Sequence, residues 1–113
     1  IDTLENTYSP QKLKTYRLAY PLVSRIGKPS HFDRFLIQAK AVLTHDAYNE
    51  LENIICPALI VGGDSDKVVG CEAAKEMAEK IPDKRIVIYH GLGHAAYEEA
   101  RDFNRRVKDF LLI

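Results

Sequence analysis

The run CPALIVGG, residues 56–63, decides how this chain has to be read. It is apolar without the polar alternation of a half-exposed strand, it has the length of a strand, and it ends in paired glycines. An unbroken apolar run of that length suits a strand covered on both faces, as in a parallel sheet. A parallel sheet needs a crossover and a second strand, and both follow at once. CEAAKEMAEKI, residues 71–81, places Ala74, Met77, Ala78 and Ile81 on one face of a helix. Pro82 and Asp83 stop it, and RIVIYH, residues 85–90, is the second strand. The remainder, AAYEEARDFNRRVKDFLLI, reads as one closing helix with Ala96, Ala100, Phe103, Val107, Phe110 and Leu111 as its buried stripe. The result is a βαβ unit, expected to cross over right-handed, plus a final helix.

Upstream of residue 54 the pattern changes. Ser9 is a candidate N-cap and Pro10 occupies the first position of a helix in which Leu13, Tyr16 and Tyr20 recur at helical spacing. Pro21 is expected to kink or end it, and GKPS at 27–30 reads as a break. A second helix starts in SHFDRFLIQAKAVL, with Ser30 and Asp33 as a capping arrangement and Phe32, Phe35, Leu36, Ala39 and Val42 or Leu43 on one face. AYNELENI reads as a short third helix. The fold class is therefore α/β, with a helical segment over residues 1–53 and a strand–helix–strand–helix segment over 54–113.

The composition, 46% apolar and 28% charged, is that of a globular chain. Sixteen basic residues balance sixteen acidic ones, so no global charge suggests nucleic acid or a membrane surface as partner. No apolar run approaches the roughly 20 residues of a membrane helix, and no signal peptide is visible. Cys56 and Cys71 read as reduced thiols of a cytoplasmic protein, and no metal-ligand spacing accompanies them.

Chemistry on open α/β sheets gathers at the carboxyl ends of the strands. Two loops sit there, GGDSDKVVG after the first strand and HGLGH after the second. Adjacent parallel strands lie about 4.8 Å apart, so an Asp of one loop reaches a His of the other. A carboxylate so placed fixes the tautomer of an imidazole and stabilises its protonated form. From the loops alone, Asp66 reads equally as a helix cap or turn residue, Asp64 is a rival acid, and His94 reads also as a satisfied loop histidine.

The stretch from Cys56 to Leu111 resembles the last third of an α/β-hydrolase. In that family an apolar strand ends in a G-x-x-D loop that bears the catalytic acid, and the last strand ends in a G-x-G-H loop that bears the catalytic histidine. Gly63-Asp64-Ser65-Asp66 and Gly91-Leu92-Gly93-His94 match these motifs in order, 28 residues apart. The resemblance implies a partial α/β-hydrolase fold with Asp66 as catalytic acid and His94 as catalytic base. Residues 32–57 resemble the family's passage from helical cap to core, on pattern more than motif.

The family's nucleophile sits in a G-x-S-x-G elbow. Ser9, Ser24, Ser30 and Ser65 all lie in other settings, Cys56 lies at the wrong end of its strand, and Cys71 is no elbow. The chain also begins at Ile1 without an initiator Met. The expectation is a C-terminal piece of a longer enzyme that holds cap, acid and base and is inactive alone. The intact enzyme would cleave a small ester, lactone or related bond of a small-molecule substrate through an acyl-enzyme, with no metal or organic cofactor. A half-chain that works with a separate nucleophile-bearing partner is a second reading. A non-catalytic binding or dimerisation module on the same fold is the third. A two-stranded parallel sheet is marginal alone, so the strand near 57–61 is expected to pair with its copy in a two-fold homodimer. His90 reads as structural, His31 and His45 as solvated or capping, and Tyr16, Tyr20 and Phe35 as cap core. Glu98 and Glu99 suit the start of a helix and carry no catalytic expectation.

Overall fold

The computed structural model describes residues 2–26 and 31–112. It contains α1 (Asp2–Thr7), α2 (Pro10–Ile26), α3 (Asp33–Thr44), a 3-10 helix (Tyr48–Asn53), β1 (Ala58–Gly63), α4 (Cys71–Lys80), β2 (Lys84–Tyr89), α5 (Ala96–Glu99) and α6 (Phe103–Leu111). β1 and β2 pair in parallel, in a register running from Ala58 opposite Lys84 to Gly63 opposite Tyr89. The α/β reading and the order of elements from residue 54 onward hold.

The core lies where α4 crosses the two strands. Ile60, Ala74 and Ile81 are buried, flanked by Leu51, Ile54, Met77, Ala78 and Ile88. The helical face read from the sequence is the one that faces the sheet. Gly62 allows the close approach, since a Cβ there would stand 3.2 Å from Ala74 Cβ and 3.3 Å from the Ile88 side chain. β1 itself is less covered than its sequence suggests. Only Ile60 and Gly63 of its six residues are buried, because α4 covers one face and β2 is its sole strand partner among the described residues.

Two local expectations need correction. The closing helix is not continuous. It breaks after Glu99 and restarts at Phe103, with the Ala100 backbone extended and Asp102 preceding α6. The polar pair Arg101–Asp102 interrupts the run there, and Asp102 accepts a hydrogen bond from Arg106 at 2.6 Å. Pro21 does not end α2, which continues to Ile26. Asp2–Thr7 forms a helix that the sequence pattern does not announce. The short third helix is present and is a 3-10 helix. The proposed break at 27–30 and the Ser30 cap lie outside the described residues, and α3 starts at Asp33 behind Phe32 without a side-chain cap.

The apolar face read on α3 exists but does not form a core. Phe35, Leu36, Val42 and Leu43 are all more than half exposed. Tyr16 and Tyr20 are half-buried, with Tyr8 and Tyr16 stacked edge to face at 4.8 Å. No described helix is long and apolar enough to cross a membrane.

Candidate active site

The carboxyl ends of β1 and β2 are stitched together before any side chain is considered. Asp64 N–H donates to the Tyr89 carbonyl at 3.1 Å and Ser65 N–H to the Leu92 carbonyl at 3.0 Å. Gly63 makes this possible. A Cβ at that position would lie 2.3 Å from the Leu92 carbonyl oxygen, inside any van der Waals contact. The second loop turns at Gly91, whose φ of 74° belongs to the left-handed region that favours glycine. Gly93 then passes so close to the Thr7 carbonyl that a Cβ would stand 2.6 Å from it.

On this frame the Asp66 carboxylate meets His94. Asp66 Oδ2 and His94 Nδ1 are 2.9 Å apart. Asp66 Oδ1 accepts the N–H groups of Val68 at 2.7 Å and Val69 at 3.1 Å. The Asp66 side chain is 7% exposed and that of His94 41%. Burial pushes the Asp66 carboxyl up, but the bonds from His94, Val68 and Val69 outweigh it and hold it below the usual carboxylate range. An ionised carboxylate accepts only, so His94 donates Nδ1–H. That leaves Nε2 as the nitrogen able to take a proton. The arrangement is an acceptor held in one tautomer at the rim of a groove of about 640 Å³, whose walls include Val61, Val69, Met77, Tyr97, Phe103 and Phe110.

The rival acid goes elsewhere. Asp64 Oδ2 pairs with His90 Nδ1 at 2.9 Å, while Oδ1 accepts Gly91 N–H at 2.7 Å and the Ser65 hydroxyl at 3.1 Å. The His90 bond above all, then Gly91, lowers the Asp64 carboxyl. His90 is 91% exposed. The two carboxylates of the acid loop are thus divided between the two histidines of the other loop, and Asp66 is the one that faces the groove. His31 and His45 are exposed and are not among the groove's lining residues. Cys71 opens α4, half-buried, and Cys56 is exposed ahead of β1; both are free thiols.

Sequence reasoning missed the role of the chain's start. Ser9, one of the buried residues, does cap α2, its Oγ accepting Lys12 N–H at 3.4 Å. It also donates its N–H to Glu99 Oε1 at 3.0 Å and its hydroxyl to Glu99 Oε2. Tyr8 donates its hydroxyl to Glu98 at 2.8 Å, and this bond first, then burial, pushes the phenol up. Ala95 N–H donates to the Thr7 carbonyl at 3.0 Å. Glu98 and Glu99 therefore tie residues 8 and 9 to the histidine loop. No periodicity or motif marks a pair of residues 90 positions apart.

A family model described as serine aminopeptidase, S33, matches residues 25–101. The chain is 32% identical over 93 residues to 2-hydroxy-6-oxononadienedioate/2-hydroxy-6-oxononatrienedioate hydrolase 2 of Pseudomonas putida, a match covering 80% of this chain and 32% of that protein. Among solved structures, MGS-M2, an alpha/beta hydrolase enzyme from a Medee basin deep-sea metagenome library, superposes with a TM-score of 0.80 at 28% identity, covering 98% of this chain and 42% of that one. An esterase from Exiguobacterium antarcticum superposes with a TM-score of 0.62 at 26% identity, covering 66% of this chain and 28% of that one. The chain spans about a third of the length of the curated relatives it matches.

Proposed function

The chain belongs to the serine aminopeptidase S33 family and carries part of an α/β-hydrolase fold, and from that membership we propose that it supplies the acid and the base of a serine-type hydrolase. His94 is the general base and Asp66 the acid that orients it. The observation that carries this reading is the Nδ1–Oδ2 bond of 2.9 Å across two adjacent strand ends, at the rim of an apolar groove. In the reaction His94 Nε2 removes the proton of a serine hydroxyl as the oxygen attacks a carbonyl carbon. Asp66 stabilises the imidazolium that forms. His94 passes that proton to the leaving group as its bond to the carbonyl carbon breaks, which leaves the acyl-enzyme. Water then attacks the acyl carbon, and the proton it gives to His94 goes back to the serine oxygen as the acid product departs.

No G-x-S-x-G elbow occurs in these 113 residues. The serine therefore comes from sequence beyond them or from another chain, and the 113 residues alone are inactive. The substrate is a small ester, lactone or related carbonyl compound. The named relatives act on dienedioates and trienedioates with an oxo group, and such a group offers a carbon that a serine attacks. The apolar groove suits a short carbon chain beside it. Two free thiols suit a reducing, cytoplasmic setting.

The test begins with the coding DNA upstream of Ile1. An in-frame G-x-S-x-G elbow is expected, and the protein it encodes should hydrolyse p-nitrophenyl acetate. His94→Ala in that protein should reduce kcat by at least about 10⁴-fold. An unchanged rate would overturn the assignment.

A second reading is favoured by the bare edge of β1. Among the described residues β1 pairs only with β2, and such an edge recruits other chains. On this reading the chain is a binding or dimerisation module that joins its copy edge to edge.

A further inference from the structure

We propose that Glu99 is a positioning residue for His94, acting through Ser9. The proposal deepens the acid–base reading above and rests on it.

The loop that carries His94 has little stiffness of its own. It contains Gly91 and Gly93, and the helix that follows is one turn long. Yet His94 keeps a 2.9 Å bond to Asp66, and a shift of about 0.6 Å would take that distance beyond hydrogen-bonding range. The backbone on both sides of His94 rests on a single group. The Thr7 carbonyl lies hard against Gly93 and accepts the N–H of Ala95. The next two residues hold Thr7 there: Tyr8 donates its hydroxyl to Glu98 at 2.8 Å, and Ser9 bonds to Glu99. Ser9 is 6% exposed and gives both its N–H and its hydroxyl to the Glu99 carboxylate. Ala95, on the first rung, and Ala96, next to it, are buried.

The histidine loop and the α1–α2 junction thus form a three-runged clamp. The rungs join Thr7 to Ala95, Tyr8 to Glu98 and Ser9 to Glu99, with His94 immediately before the first. All three partners on the far side belong to the segment that leads into α2. Glu99 does not reach the imidazole. It fixes the backbone from which the imidazole projects, and it links that backbone to the helical half of the chain.

The experiment is histidine ring NMR on the 113-residue chain labelled with ¹⁵N-histidine. In the parent chain His94 should show the fixed Nδ1–H tautomer. Asp66→Asn should replace it with the averaged pattern of a free imidazole. Glu99→Ala should produce the same loss, and Ser9→Ala, which keeps the Ser9 N–H bond to Glu99, a smaller one, with the far-UV circular dichroism and the His45 signals unchanged. If Glu99→Ala fails to fold, Glu99→Gln decides, since it keeps the shape of the side chain and replaces one of its two acceptors with a donor. A fixed His94 tautomer retained in a folded Glu99→Ala, or in Glu99→Gln where Glu99→Ala does not fold, overturns the proposal. An averaged His94 in the parent chain, unmoved by Asp66→Asn, overturns the acid–base pairing itself and the clamp's role with it.

Discussion

Asp66 and Asp64 stand two residues apart and have the same chemistry, yet their partners differ. Asp66 is buried against His94 and two backbone N–H groups; Asp64 faces exposed His90. The Asp66 carboxyl is held below its ordinary range, so it binds fewer protons folded than unfolded. Its contribution to stability is complete above the ordinary value of about 3.9 and is lost as pH falls through the lowered one. Asp66→Asn should therefore cost about 1–3 kcal/mol at pH 7, the range for leaving partly buried partners unsatisfied. Urea titrations should show that difference shrinking below about pH 4; a pH-independent difference would contradict it. Glycine 63 makes a sharper test. Gly63→Ala drives a Cβ into the Leu92 carbonyl and should cost at least about 3 kcal/mol, near the top of the overpacking range. Gly70→Ala meets open space and suffers only its φ of 81°, about 1–2 kcal/mol. Thermal melts of the two variants should rank in that order. Asp66 and His94 were legible because each lies in a short motif at the end of a strand. The division of labour with Asp64 and His90 was not, since it depends on how two loops lie side by side.

At the scale of elements, periodicity succeeded where burial was local. The α4 face of Ala74, Met77, Ala78 and Ile81 is the face that meets the strands. Ile60→Ala or Ile81→Ala should each cost about 2–5 kcal/mol. Leu43→Ser on α3, where the side chain is 85% exposed, should stay within about 0.5 kcal/mol in the monomeric chain. Chemical denaturation of the three variants separates a packed face from an unpacked one. Periodicity misled in two places for one reason. It reports an amphipathic surface and is silent on what covers it. The stripe on residues 96–111 is genuine but spans two helices, and the stripe on α3 faces solvent. Pro21 shows that a helix breaker is a penalty of about 3 kcal/mol, which sixteen neighbouring helical residues of α2 outweigh.

At the scale of the whole molecule, apolar surface is spread widely. Leu18, Val42, Leu43, Ile55 and Leu111 are each more than 70% exposed, and Val42 and Leu43 lie on the same helix as the exposed Phe35 and Leu36. With formal net charge zero, no long-range repulsion opposes association. Sedimentation velocity on the chain should therefore show concentration-dependent self-association, with a dimer as its first species. A monodisperse monomer at tens of micromolar would exclude the edge-to-edge reading. The three proteins compared above are each covered by this chain over 28–42% of their own length.

The sequence by itself determined β1, α4 and β2, the order of the acid and histidine loops, and the residue types at their tips. Those features arise from contacts close along the chain, where spacing in sequence is spacing in space. The tertiary structure alone decided which carboxylate meets which histidine, that the closing stripe breaks at Ala100, and that Ser9 and Glu99 join across 90 positions. A hydrogen bond between distant residues leaves no period and no composition bias. It exists only once the sheet has brought both ends of the chain to the same strand tips.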